Sequence, residues 1–140
     1  MAAPLRIDRQ PVLAGVTLAS GVVVVLFWAF YFTGTATLGQ GHPVKRIFEA
    51  AFPAADAVLA TALVVTGVLL LLRRASAAFT LVIAASMSLY LGVLDATFYL
   101  RHGFYTPLMP DAATEIAVNL LCVGGGIAGL RLGWRLWRAL

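Results

Sequence analysis

The sequence predicts an all-α polytopic membrane protein, an antiparallel bundle of four transmembrane helices at residues 11–33, 54–72, 75–100 and 112–130. Three observations carry that prediction. Each stretch is almost continuously apolar, and about 20 such residues in a helix cross the roughly 30 Å hydrocarbon of a bilayer. Hydrophobic residues make up 61% of the chain and charged ones 11%, against about half and a quarter in soluble domains. The basic residues bracket the stretches instead of interrupting them. A closed barrel would require alternation of apolar and polar residues, which runs such as 22–32 and 64–72 lack. Four spans leave no room for a soluble module, so residues 1–140 read as one membrane domain.

Arg6 and Arg9 precede the first span, which is long for a signal-peptide core and has no cleavage site after it. It reads as a retained helix ending in the aromatic set Phe27, Trp28, Phe30, Tyr31 and Phe32. In the long connection that follows, Pro43 suits the first turn of a helix. Val44, Ile47, Phe48, Ala51 and Phe52 recur at helical spacing with Lys45, Arg46 and Glu49 opposite, which predicts an amphipathic helix over 43–52 lying along the interface. Residues 73–76 form a tight turn, making spans two and three a hairpin. Gly103, Pro107 and Pro110 break the chain after the third span. Asp111 then reads as the N-cap of the fourth. Trp134 and Trp137 interleave with Arg131, Arg135 and Arg138 as an interfacial anchor.

Charge sets the expected orientation. Arg6, Arg9, Arg73, Arg74, Arg131, Arg135 and Arg138 fall on one side, and Lys45, Arg46 and Arg101 on the other. By the positive-inside rule both termini face the cytoplasm, and the location is the cell membrane. Asp8 alone among the acids shares the basic side. Glu49, Asp56, Asp95, Asp111 and Glu115 collect in the outer half with His42 and His102.

Several chemistries are excluded. Cys122 is the single cysteine, so there is no internal disulfide and no thiolate metal cage. No GxSxG, HExxH, phosphate-binding glycine loop or histidine box occurs. The serines Ser20, Ser76, Ser86 and Ser88 have no evident base. The reading therefore leans away from an enzyme. The net charge of +4 reflects arginines flanking the spans, and no nucleic-acid partner is expected.

The informative residues are the polar ones at depth. Asp95 lies inside the third span, about five residues from its outer end, and an ionisable group at that depth is costly enough to be a functional candidate. It shares a helix face with Ser88, Gly92, Tyr99 and His102. Asp56 follows Pro53 near the start of the second span, where the helix dipole also accounts for its charge. In the fourth span Glu115, Asn119, Cys122, Gly126 and Gly129 fall on one side, and Gly125-xxx-Gly129 offers a close-packing face. The candidate ligand-binding set is Asp95, Asp56, Asn119, Glu115, Tyr99 and His102, with Gly92, Gly125 and Gly129 as packing positions. Three carboxylates and an amide fall short of the six or more oxygens of a hard-cation site unless water or carbonyls complete it. No cofactor or metal is specified by this pattern.

The third-span stretch Ser88-Leu-Tyr-Leu-Gly-Val-Leu-Asp95-Ala-Thr-Phe-Tyr99, with Asn119 in the fourth span, resembles the EXPERA superfamily of emopamil-binding sterol isomerases and related ligand-binding proteins. The resemblance covers about half the chain. It implies a membrane-open cavity for an amphiphile lined by Asp56, Asp95 and Asn119. The first span has neither the histidine nor the glutamate of the isomerase pattern, so isomerisation is not carried over.

Three functions remain open from the residues. One is a binding or transport protein with an acidic outer-leaflet pocket for a small amphiphile or cation. Another is an accessory subunit whose polar residues bond to partner membrane subunits or further copies of the chain. The third is a lipid-modifying acid–base enzyme. An acidic cavity inside one protomer favours the first and third, and acids facing outward favour the second.

Overall fold

The computed structural model describes residues 10–34, 42–106 and 111–139. Arg6, Asp8, Arg9, Pro107 and Pro110 lie outside them. The described chain is all helical: α1 (Gln10–Phe32), α2 (Pro43–Glu49), α3 (Phe52–Leu71), α4 (Ser76–His102) and α5 (Ala112–Trp137). Four segments are long and apolar enough to span a membrane, α2 and α3 counting as one. The exterior fits that setting, because Val22, Val23, Phe30, Leu71, Phe79, Leu100, Leu120 and Leu121 all face outward. Lipid, unlike water, imposes no cost on such a surface.

Two antiparallel pairs build the bundle. In α1 and α3, a Cβ on Gly21 would lie 2.9 Å from Val64 and 3.1 Å from the Ala60 carbonyl, and one on Gly67 would meet Leu18 at 2.5 Å. In α4 and α5, Gly126 meets Leu89, Gly129 meets Ala85, and Gly133 meets Val82, each within 2.8 Å of an added Cβ. Small residues let helix backbones approach, and dispersion then replaces the hydrophobic effect as the force between helices. Gly92 closes the same seam from the α4 side, against Cys122 at 2.8 Å, and Ser88 donates to the Cys122 carbonyl at 3.0 Å. Gly125 does not belong to this seam. A Cβ there would meet nothing within 4 Å, because one residue before Gly126 is a 100° rotation away from α4. The packing face is Gly126, Gly129 and Gly133.

The α3 and α4 helices join the two pairs. Arg73 adopts φ 51°, while the Arg74 and Arg73 N–H groups donate to the Leu69 and Leu70 carbonyls, closing a Schellman turn. At the far end of α4 Gly103 takes φ 67°, with Phe104 N–H donating to the Tyr99 carbonyl and the Phe104 ring edge-on to Tyr99. Between α1 and α5 no described pair of Cα atoms comes within 8 Å, so that side of the bundle is the loosest. Leu136 of α5 still packs on the cluster of Ala14, Leu70 and Ala77 at the arginine-rich end. The buried Thr17 and Thr66 hydroxyls are spent on carbonyls of their own helices.

The short helix α2 is separate from α3 because Pro53 has no N–H to give the Glu49 carbonyl. Its amphipathic faces are used with the polar one inward. Lys45 and Glu49 are buried, one turn apart, while Val44 and Ile47 are exposed. Phe48 lies flat on Phe98, ring centres 3.6 Å apart. The sequence expectation of charged residues turned to water holds for Arg46 alone.

Candidate functional site

The α4–α5 register decides what meets at the α2 end of the bundle. Since Gly126 lies against Leu89 and Cys122 against Gly92, continuing the antiparallel zipper brings Asn119 beside Asp95 and Glu115 beside Tyr99. All four are buried. Helix α2 then closes over them and adds Glu49. Carboxylate oxygens of Glu49, Asp95 and Glu115 all lie within 4.8 Å of one another. Three acids from three helices this close repel unless protons or a cation sit among them.

The hydrogen bonding is incomplete. Tyr99 Oη donates to Glu49 Oε1 at 2.7 Å, and Asn119 Nδ2 donates to Tyr105 Oη at 2.7 Å. Burial pushes the Tyr105 hydroxyl above its ordinary range, with the charge of Asp95 adding to the effect, so the phenol stays protonated. Glu115 Oε1 and Asn119 Oδ1 are buried without a hydrogen-bond partner. Stranded acceptors of this kind cost about 1–3 kcal/mol each, more when charged.

Lys45 is fully buried and forms an ion pair with Asp111, its ammonium 4.8 Å from the centre of the Tyr99 ring. Asp111 does occupy the N-cap position of α5, its carbonyl accepting from Glu115 N–H at 3.0 Å, but its side chain makes no capping hydrogen bond and goes to Lys45. A buried ammonium exerts a stronger claim on the carboxylate than a neutral backbone N–H does.

A cavity of about 50 Å³ adjoins the cluster, lined by Trp28, Glu49, Asp56, Asp95, Glu115 and Asn119 among others. Asp56 faces it from α3 and accepts a 2.8 Å hydrogen bond from Trp28 Nε1. The predicted residues Asp56, Asp95, Glu115 and Asn119 thus surround one space, and Tyr99 touches it through Glu49. His102 does not. It is exposed at the end of α4, with Nδ1 2.9 Å from the Phe98 carbonyl and its ring stacked on Phe104. It stays on the Asp95 face of α4, but seven residues farther along, about 10 Å at 1.5 Å per residue, it clears the cluster at the exposed end of the helix.

Glu49, Lys45 and Tyr105 are the residues that sequence reasoning did not place in the site. The spacing of Lys45 and Glu49 gave the right helix face and the wrong direction for it. A second, more open groove of about 400 Å³ between α3 and α4 is lined by Ala57, Val58, Thr61, Val65, Thr80 and Ile83 among others, and none of the described acids reaches it. The hydroxyls of Thr61 and Thr80 bond to carbonyls of their own helices, which leaves the groove lined by apolar side chains. Comparison with protein-family models, curated proteins and solved structures finds no match to this chain.

Proposed function

We propose that this chain is an integral membrane protein that binds a small cation in the buried carboxylate cavity. The observation that carries the proposal is the meeting of Glu49, Asp95 and Glu115 within 4.8 Å, while the one buried lysine is already committed to Asp111. Protons or a cation must then relieve the repulsion, at a place where solvation is poor. The cavity selects among ligands. At about 50 Å³ it suits an ion with a few waters. An amphiphile or lipid substrate needs several hundred Å³, which counts against the enzyme reading and against the pocket implied by the EXPERA resemblance. The inward direction of Asp95, Glu115 and Asn119 counts against a subunit whose acids bond to a partner. With the arginine-rich end in the cytoplasm, the cavity lies in the outer half of the bilayer.

Trp28, which borders the cavity and bonds to Asp56, supplies the assay. In a Trp134→Phe/Trp137→Phe background it is the sole tryptophan. Its emission should change saturably with at least one of H⁺, Li⁺, Na⁺, K⁺, Mg²⁺, Ca²⁺ or Mn²⁺, and Asp95→Asn should abolish that response. Emission indifferent to all of them would leave the cluster a structural polar core.

A further inference from the structure

We infer that the cluster is a site for a divalent, oxygen-preferring cation, held by carboxylate oxygens of Glu49, Asp95 and Glu115 and by Asn119 Oδ1. The inference rests on the cation-binding reading above and names the class of ion.

Geometry is the first argument. Oxygens on opposite sides of an ion at 2.3–2.6 Å are about 5 Å apart. The three carboxylates, within 4.8 Å of one another, can reach one ion without moving a backbone. The amide of Asn119 points to a ligand independently of the acids. Asn119 is 6% exposed and its carbonyl oxygen has no partner, although its amide nitrogen is bonded to Tyr105. Glu115, 4% exposed, also carries an unpartnered oxygen at the same cavity. Buried acceptors are rarely left so, and an ion satisfies both at once.

Donor chemistry and charge then narrow the class. The donors are carboxylate and amide oxygens, and both histidines lie off the cavity, which is the ligand preference of Mg²⁺, Ca²⁺ and Mn²⁺. Carboxylates binding through one or both oxygens, with the amide, give roughly four to seven donors, and waters in the cavity complete the shell. Two positive charges leave one excess negative charge among three acids, whereas a monovalent ion leaves two. The neighbouring hydroxyls hold the ligands in place, Tyr99 on Glu49 and Tyr105 on Asn119, as the outer shell of a metal site does.

The test uses the full chain purified in mild detergent and stripped with chelator, titrated with Mn²⁺ while the spectrum of free Mn²⁺ is followed by electron paramagnetic resonance. The expected result is saturable uptake of one Mn²⁺ per chain, displaced by Ca²⁺ or Mg²⁺. Glu115→Gln, which preserves shape, should raise the dissociation constant by about tenfold or more, and Tyr105→Phe by about tenfold as a positioning residue. Ser86→Ala, on the outer side of α4, should bind as wild type does. Melting curves establish that each variant is folded. Uptake undiminished in Glu115→Gln overturns the assignment. So does an absence of Mn²⁺ uptake while Trp28 still responds to a monovalent ion or to protons, and that outcome leaves the cation-binding reading intact. Silence in both assays removes both.

Discussion

Tyr99 Oη, near the end of α4, donates a 2.7 Å hydrogen bond to Glu49 Oε1 on α2. Both residues are buried, and the bond explains how a seven-residue helix is held with its polar face inward. Replacing Tyr99 by Phe removes the donor and keeps the ring. Thermal melting in detergent should show a loss of about 1–3 kcal/mol, the cost of a stranded acceptor. A melting curve identical to wild type would mean that Glu49 is solvated by water.

The Lys45–Asp111 pair anchors α2 from its other end. Lys45→Met should destabilise by about 3–5 kcal/mol, since it leaves a buried carboxylate uncompensated. The double variant Lys45→Met/Asp111→Leu should recover most of that loss. A double-mutant cycle measures the coupling, and additive losses would show that the two side chains act independently.

The glycines of α5 give a sharper contrast. Gly126→Leu should destabilise by about 1–3 kcal/mol through forced separation of α4 and α5, because a Cβ there already lies 2.7 Å from Leu89. Gly125→Leu should be nearly neutral, or slightly stabilising through helix propensity. Equal melting temperatures would place the α4–α5 contact on a different face.

The four spans, the hairpin at Arg73 and the inward face of α5 were legible because hydropathy and helical period depend only on local sequence. Asp56, Asp95, Glu115 and Asn119 were legible as a group for a related reason: each is a polar side chain that an apolar helix must turn away from lipid. Glu49 and Lys45 were not, because an amphipathic helix has two faces and the sequence does not say which one is wet. That choice depends on the Tyr99 hydroxyl and on Asp111, which lie 50 and 66 residues away. Gly125 and Gly126 are adjacent, and only the register against Leu89 tells which one packs. His102 keeps the Asp95 period to the last residue of α4, but period alone does not tell that two turns of helix, about 10 Å, carry it past the cluster.

The arginines predict the orientation. In a Cys122→Ala background, a cysteine at Ala75 should react with an impermeant reagent only from the cytoplasmic side, and one at His102 only from outside. Both positions are exposed, at opposite ends of α4. The reverse pattern would move the acidic cavity to the inner half of the membrane.

The charge of Asp95 is expected to serve a bound cation. The most direct measurement is the shift in melting temperature caused by Mn²⁺ or Ca²⁺ in wild type, Asp95→Asn and Asp95→Leu. A ligand at a hundred times its dissociation constant stabilises the folded state by about 2.7 kcal/mol. Wild type should show a shift of that order. Asp95→Asn should stay folded and lose it, and Asp95→Leu should melt lower with no ion present, because Asn119 then faces an apolar side chain. A shift undiminished in Asp95→Asn would contradict the account and leave Asp95 as a structural hydrogen-bonding group.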